Sequence, residues 1–404
     1  MSEEEGKTYR GLFVTNFIIA LGFGIADPFF PIYAVHAGAT PFHIALIFST
    51  YAVAKTLMSP LVGWCSDRRG RRNLIITGLC TYLVVSLYYL SMPGPLALIV
   101  LRIVQGIGAA LVRPISLAFV GDIAPARKEA EAMGTFDISF YGAVAIGPII
   151  GGCIKDTVGF VGVFLSLAVL CFLSLVVALI LVTTLPDYTR KGLSKGRHRL
   201  TNLRDGRNLM GLSGFIFTRS FGIVLFAIFL PILMDKILKL TGLQMGIIMS
   251  AAMVVTALLL KPMGHLSNKL NHRWLVIVGG SMTAVLTFCL PIAGTFGQLL
   301  TLSIGIGLFS AVSLPASSAL LVKEGNLYGM GLAMGIFNGA MSLGTVLAPL
   351  AGGFAVGYFG MNTIFYGGGF LGVIGIAFFC FCSCPVRAQH EEREALLAFR
   401  GNAE

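Results

Sequence analysis

Runs of about twenty mostly apolar residues, the length that crosses a hydrocarbon layer, follow one another along almost the whole of this 404-residue chain. Twelve can be read, at roughly 11–35, 42–66, 74–92, 95–121, 129–153, 159–183, 209–235, 243–267, 274–293, 296–322, 330–354 and 361–384. Only helices and closed barrels satisfy their backbone polar groups in lipid. A barrel needs strands of alternating polarity, whereas these runs are continuously apolar. With 12% charged residues against about 25% in soluble domains, and 56% hydrophobic ones, a soluble enzyme is excluded. Such hydrophobicity also excludes a disordered chain, and 8 cysteines are too sparse for a disulfide scaffold. The first run is a full span preceded by Glu3, Glu4 and Glu5, so no cleavable signal peptide is expected. The expectation is an all-α polytopic membrane protein with twelve transmembrane helices.

The net charge of +11 follows from how cations are placed. Numbering the runs in order, the segments on the side of the termini hold 21 Lys and Arg, and the opposite loops hold three: Lys155, Lys236 and Lys239. Cytoplasmic loops are the Lys/Arg-rich ones, so both termini are expected in the cytoplasm. The basic balance is then topogenic and implies no nucleic acid. The partners expected are a lipid bilayer, a small-molecule substrate and protons. The expected location is a plasma membrane or bacterial inner membrane, as a multi-pass functional monomer. The other five cations, Lys55, Arg102, Arg113, Arg219 and Lys261, lie within or at the edge of runs.

The most polar stretch, Pro186 to Asn208, falls mid-chain and reads as a linker. It divides the chain into an N-terminal six-helix half (8–185), a cytoplasmic linker (186–208), a C-terminal six-helix half (209–385) and a cytoplasmic tail (386–404). The halves repeat at an offset of 201: Gly63 and Gly264, Arg72 and Arg273, Pro114 and Pro315, Phe136 and Phe337, Pro148 and Pro349, Gly152 and Gly353. Near the first helix the offset is 200, with Gly22 and Gly222, and Pro31 and Pro231. An even number of spans per half makes these parallel repeats.

Gly63-Trp-Cys-Ser-Asp67-Arg68-Arg69-Gly70-Arg71-Arg72, between runs two and three, resembles the major facilitator signature G-x-x-x-D-R-x-G-R followed by R or K. A glycine permits the sharp reversal and the arginines hold the loop inside. The resemblance implies a cytoplasmic latch loop that stabilises the outward-open state. The second copy, Gly264 to Arg273, has Asn268 and Asn271 where the signature has Asp and Gly, and is not assigned that role. Arg102-Ile-Val-Gln105-Gly106-Ile-Gly108-Ala109-Ala110 in run four resembles the family's R-x-x-Q-G-x-G-A-A motif, frequent in proton-coupled members; Asp122 completes it. Gly147-Pro148-Ile-Ile-Gly151-Gly152 in run five resembles the Gly-Pro motif of twelve-helix antiporters, and offers a flat face for helix packing. Leu21 to Tyr33 in run one also resembles the drug/proton antiporter branch. Together these imply the major facilitator fold over roughly residues 8 to 385.

Asp27 and Asp137 are the two acids read deep inside runs. Low dielectric disfavours any charged carboxylate, so a membrane acid is a functional candidate by default. Proton coupling is expected at Asp27, Asp137 and Arg102. Static ion pairs are the alternative, Asp137 with Arg102 or Arg113, and Asp27 with Lys55 or Arg219. Asn338 stands at the repeat position of Asp137, so coupling is expected in the first half. The family resemblance implies a cavity along runs one, four, seven and ten, with Phe17, Phe23, Arg113, Arg219 and Phe221 as candidate lining. Three arginines against two acids leave room for an anionic substrate.

No phosphate loop or metal-ligand spacing occurs, so no cofactor or metal is expected and the proton gradient is the energy source. Cys380, Cys382 and Cys384 read as small membrane-helix residues rather than ligands. The expected function is non-enzymatic: proton-coupled efflux of a small amphipathic or organic-anion molecule by alternating access. Proton-coupled import of a metabolite is the alternative, and a non-transporting receptor or scaffold a further one.

Overall fold

Helix starts in this chain are marked by residues that can close a first turn. Thr40 and Thr241 each accept a hydrogen bond from the backbone N–H three residues on, and the side chains of His43 and Gln244 bond back to the cap. Thr295 caps in the same manner without the reciprocal bond, and Asn271 accepts from the N–H of Arg273, two residues on. Pro41 and Pro95 occupy first-turn positions, where a missing N–H costs nothing.

The computed structural model describes residues 3–124, 129–183 and 206–383, and every regular element among them is helical. In order these are α1 (Glu3–Ala26), α2 (Phe30–His36), α3 (Pro41–Arg69), α4 (Arg71–Tyr89), α5 (Pro95–Ile123), α6 (Glu129–Leu181), α7 (Arg207–Lys236), α8 (Gly242–Lys269), α9 (His272–Cys289), α10 (Phe296–Tyr328), α11 (Met330–Phe359) and α12 (Met361–Cys382). A short 3-10 turn, Leu290–Ile292, follows α9. Ten stretches are long and apolar enough to cross a membrane. α6 is broken by Gly159, whose φ of 79° and ψ of −166° are not helical. Nearly all of the expected linker, and the tail from 386, lie outside the described residues.

The repeat is visible in where helices begin. α3 and α8 start at 41 and 242, α4 and α9 at 71 and 272, α5 and α10 at 95 and 296, α6 and α11 at 129 and 330. Each pair is offset by 201, the spacing read from single residues. Two left-handed turns obey it too: Gly38 (φ 88°) with Lys239 (φ 50°), and Gly159 with Gly360 (φ 89°).

Packing repeats as well. α1 lies along α6 as α7 lies along α11 and α12, and α3 packs on α5 as α8 does on α10. Buried cores form separately: one drawn from Leu12 to Val182, another around α7, α9 and α12. A third joins the two sets through Phe29, Ile32 and Ile44 against Phe221, Leu225 and Phe229.

The molecule has two unlike ends. At the terminal end the start of α1, the start of α6 and the close of α6 meet: Tyr9 donates to the Ala132 carbonyl and Thr8 bonds Thr183. The N-terminal and C-terminal helices join towards the opposite, distal end. There the Asp156 carboxylate accepts from the backbone N–H of Gly242 (2.7 Å) and Leu243 (2.9 Å), capping α8 from across the interface. Asp235 sits between Lys155 and His36, each 3.3 Å away. Ser49 donates to the Val346 carbonyl. Backbones touch at two symmetric places. A side chain at Gly152 would strike Gly242, and one at Gly353 would strike Pro41 and Ala45. Nearer the terminal end the repeat partners Gly134 and Gly335 face open space. The helices therefore close at the distal end and part at the terminal end.

The Asp156 cap should be worth about 1 kcal/mol or more to this closure, roughly a five-fold population shift or larger. Spin labels at Ser91 and Ile292, in the distal loops of the two sets in a cysteine-free chain, measure it. Asp156→Ala is expected to lengthen their distance distribution. An unchanged distribution means that the cap does not hold the distal end. Gly152→Val should destabilise by about 1–3 kcal/mol through overpacking, read as lost thermal stability of the purified protein.

Candidate functional site

The first crossing is broken where its acid stands. α1 ends at Ala26, and Asp27, Pro28 and Phe29 form a turn before α2. Pro28 has no N–H to continue the helix. Asp27 N–H still donates to the Phe23 carbonyl at 2.8 Å, and Phe29 N–H to Ala26 at 3.1 Å. The carboxylate emerges at this discontinuity, 50% exposed.

Its partner is Arg102 on α5, 3% exposed, with both terminal nitrogens 3.4 Å from Asp27 Oδ1. Aromatic rings enclose the guanidinium. It lies 3.7 Å over Phe30, with Phe48 at 5.0 Å and Tyr51 at 5.7 Å. Such a cage stabilises a cation in low dielectric, while Arg102 Nε has no hydrogen-bond partner. One turn further on, Gln105 accepts from the Tyr89 hydroxyl at 3.0 Å. The pairing differs from the one anticipated: Asp27 meets neither Lys55 nor Arg219. The break at Pro28 is what brings it to α5.

Arg113, on α5 about three turns from Arg102, is 3.0 Å from Asp137 on α6. Both are a little over a third exposed, and the guanidinium stacks 3.8 Å from the Phe140 ring. Tyr141 lies 6.0 Å from the same group. Asn16 of α1 donates to Ser139 Oγ at 2.7 Å and ties α1 to this stretch. Lys55 on α3 interacts electrostatically with Arg113. Arg219 Nη1 on α7 is buried without a hydrogen-bond partner, with Tyr141 of α6 within its electrostatic reach.

The expected cavity aromatics fare less evenly. Phe17 is half-buried. Phe23 packs edge-on to Tyr82, 4.7 Å between centroids, inside the N-terminal set. Phe221, 9% exposed, belongs to the core shared by both sets. It backs the site rather than lining it, because Gly344 of α11 lets the α7 backbone come close at that level.

At the loop after α3, Gly70 (φ 85°) makes the reversal that starts α4. Arg71 Nε lies 2.6 Å from Asp122 Oδ2 at the end of α5. Arg72 donates to the carbonyls of Val182 (2.5 Å) and Leu179 (3.0 Å) at the end of α6. Gly63 faces open space. The side chains of Asp67 and Arg68 lie outside the described residues. In the Gly-Pro motif, Gly147 and Gly151 receive the α1 backbone at Gly24 and Ile25, and Gly152 receives α8. The Pro148 carbonyl abuts Gly246. This motif is therefore the junction of α1, α6 and α8.

Two groups escaped the reading of the sequence. Glu324, 7% exposed near the end of α10, lies against Asn208 and Arg273. Its signal was there: it sits one position off the repeat of Asp122, and Arg273 repeats Arg72. The distal set of His36, Lys155, Asp156 and Asp235 left no periodic trace, because it joins segments about 80 to 200 residues apart.

The chain matches the Major Facilitator Superfamily over residues 12–215 and again over 210–401. An uncharacterised MFS-type transporter of Methanocaldococcus jannaschii is 28% identical over 372 residues, 89% of this chain and 95% of the relative. The multi-drug resistance efflux pump PmrA of Streptococcus pneumoniae is 25% identical, covering 87% and 90%. The multidrug resistance protein MdtG of Proteus mirabilis is 23% identical, covering 87% and 89%. Among solved structures, a bacterial homologue of the human lysosomal transporter Spinster, in an inward-facing and occupied conformation, superimposes with a TM-score of 0.76. That pair is 14% identical, with 95% and 97% of the chains covered. Two successive matches that between them span nearly all of the described helices leave one assignment: this chain belongs to the Major Facilitator Superfamily of membrane transporters.

Proposed function

We propose that this protein exports a small amphipathic molecule in exchange for protons, by alternating access between its two sets of helices. The observation that carries the reading is Asp27. It is a half-exposed acid at a helix break, held by a caged arginine, so that gaining a proton would release a charged contact between α1 and α5. A relative named as a multi-drug resistance efflux pump favours export.

The proposed topology has twelve crossings: α1 with α2, then α3, α4, α5, the two arms of α6 on either side of Gly159, and α7 to α12. The excess of Lys and Arg puts the terminal end in the cytoplasm, so the parted end opens inward. The membrane is a plasma membrane or a bacterial inner membrane. One copy holds both walls of the cavity, so a monomer suffices. Protonation of Asp27 would neutralise the acid and leave Arg102 with its aromatic cage. Asp137 and Arg113 form a second pair that a proton could open in the same way. Each proton moving inward supplies about 2.3 kcal/mol per 100 mV.

Everted vesicles energised with a proton gradient, given a panel of amphipathic dyes of either charge, test the direction. Gradient-driven dye uptake is expected; uptake confined to right-side-out vesicles would mean import. Asp27→Asn should cut gradient-driven uptake by about ten-fold or more while exchange of labelled for unlabelled dye persists. Asp137→Asn measures the share of the second pair. Coupling that survives both single variants and the double variant removes the acids from the mechanism. Single cysteines at Ser91 and at Ser194 check the topology. An impermeant maleimide should reach the first in intact cells and the second only after permeabilisation.

A further inference from the structure

The cations at mid-membrane are unequally answered. Asp27 faces Arg102 and Asp137 faces Arg113, at 3.4 and 3.0 Å. Among the described residues Lys55 and Arg219 have no acidic partner, yet both stand near these pairs. Lys55 is felt by Arg113. Tyr141 lies within the electrostatic reach of Arg219, and its ring is 6.0 Å from the Arg113 guanidinium. Arg219 Nη1 is buried and makes no hydrogen bond. A buried cation left without a counter-charge is costly in low dielectric. The repeat offers no structural reason for it: at the offset of 200, Arg219 corresponds to Ile19. Phe140 and Tyr141 supply apolar surface beside the charges.

We propose that Lys55, Arg113 and Arg219, with the Phe140 and Tyr141 rings beside Arg113, form a binding site for an amphipathic organic anion, a carboxylate or comparable acid carried on an aromatic or apolar body. Arg219 contributes a planar fork suited to a carboxylate, and Lys55 a point charge. Phe140 and Tyr141 take the body. The site draws Lys55 and Arg113 from the N-terminal helices and Arg219 from the C-terminal ones, so a bound anion bridges the two walls. The proposal rests on the transporter reading above and narrows its substrate class; it does not depend on the direction of transport or on proton coupling.

The test is equilibrium binding to the purified full-length protein in detergent, without any gradient, followed by probe fluorescence. Dansylglycine presents a carboxylate and dansylcadaverine an ammonium on the same fluorophore. Dansylglycine is expected to bind saturably and more tightly than dansylcadaverine. Arg219→Gln should weaken it about ten-fold or more, the loss of one charge-assisted hydrogen bond. Arg219→Lys should fall between, since it keeps charge without the fork. Lys55→Gln, at an exposed side chain, gives a second reading should Arg219→Gln fail to stay monodisperse. Failure of dansylglycine to bind, tighter binding of dansylcadaverine, or dansylglycine affinity unchanged in both neutralised variants would overturn the anion site. None of these outcomes touches the vesicle result, and a failed vesicle experiment leaves the binding measurement standing.

Discussion

A charge inside a bundle of apolar helices must be answered by an opposite charge, by a cage of polarisable rings or by water. Most of what is distinctive about this protein follows from how it meets that demand. Arg102 has two of the three: the Asp27 carboxylate and the rings of Phe30, Phe48 and Tyr51. Arg113 has Asp137 and Phe140. Both pairs bind α5 to the helices on either side of it, α1 with α2 and α6. Breaking a buried pair by removing one partner strands the other charge. In the proposed cycle the pairs would fix the mutual placement of these helices in one protonation state and free it in another.

The scaffold around these charges is nearly two-fold symmetric, and the chemistry is not. Four pairs of helices start at an offset of 201, two left-handed turns recur at the same offset, and Gly152 and Gly353 make equivalent backbone contacts across the interface. Small residues allow such approach in a membrane, where no hydrophobic force drives helices together. Yet Asn338 replaces Asp137, and Asn268 and Asn271 replace the acid and glycine of the first loop. The distal lock is one-sided too. Asp156 caps α8 through two backbone N–H groups, whereas its repeat position is Gly357, which cannot cap α3. A symmetric frame that carries asymmetric charge can rock as two bodies while coupling energy through one of them.

Much of this was legible in the sequence. The apolar runs located the helices because a backbone in hydrocarbon has few alternatives. The offset of Gly63 and Gly264, or Pro148 and Pro349, located the duplication because each marks a required close approach or kink. What was not legible depended on three dimensions. Asp27 was expected beside Lys55 or Arg219, if paired at all, and the break at Pro28 turns it towards Arg102 instead. Phe221 read as lining and is core, since the facing Gly344 lets α11 close over it. Glu324 was hidden one position off the repeat. The Asp156 cap could not be read, because an acid ending one helix and a threonine-capped helix 86 positions later carry no mutual signature.

The break in the first crossing also bears on how protonation could be felt at a distance. A carboxylate in the middle of an intact helix changes charge without changing backbone, because the i to i−4 bonds hold the geometry. Asp27 stands where that ladder is interrupted: Pro28 offers no donor, and α2 begins afresh at Phe30. α2 in turn carries Phe30, which stacks on Arg102, Ile32, which lies in the core shared with α7, and His36, which meets Asp235 at the distal lock. One seven-residue helix thus touches the acid's partner, the other set of helices and the closure itself. In the proposed cycle, loss of the charge on Asp27 need only let α2 pivot about the Asp27–Phe29 turn for all three contacts to change together. Coupling carried by a rigid element with two positions requires no longer pathway than this.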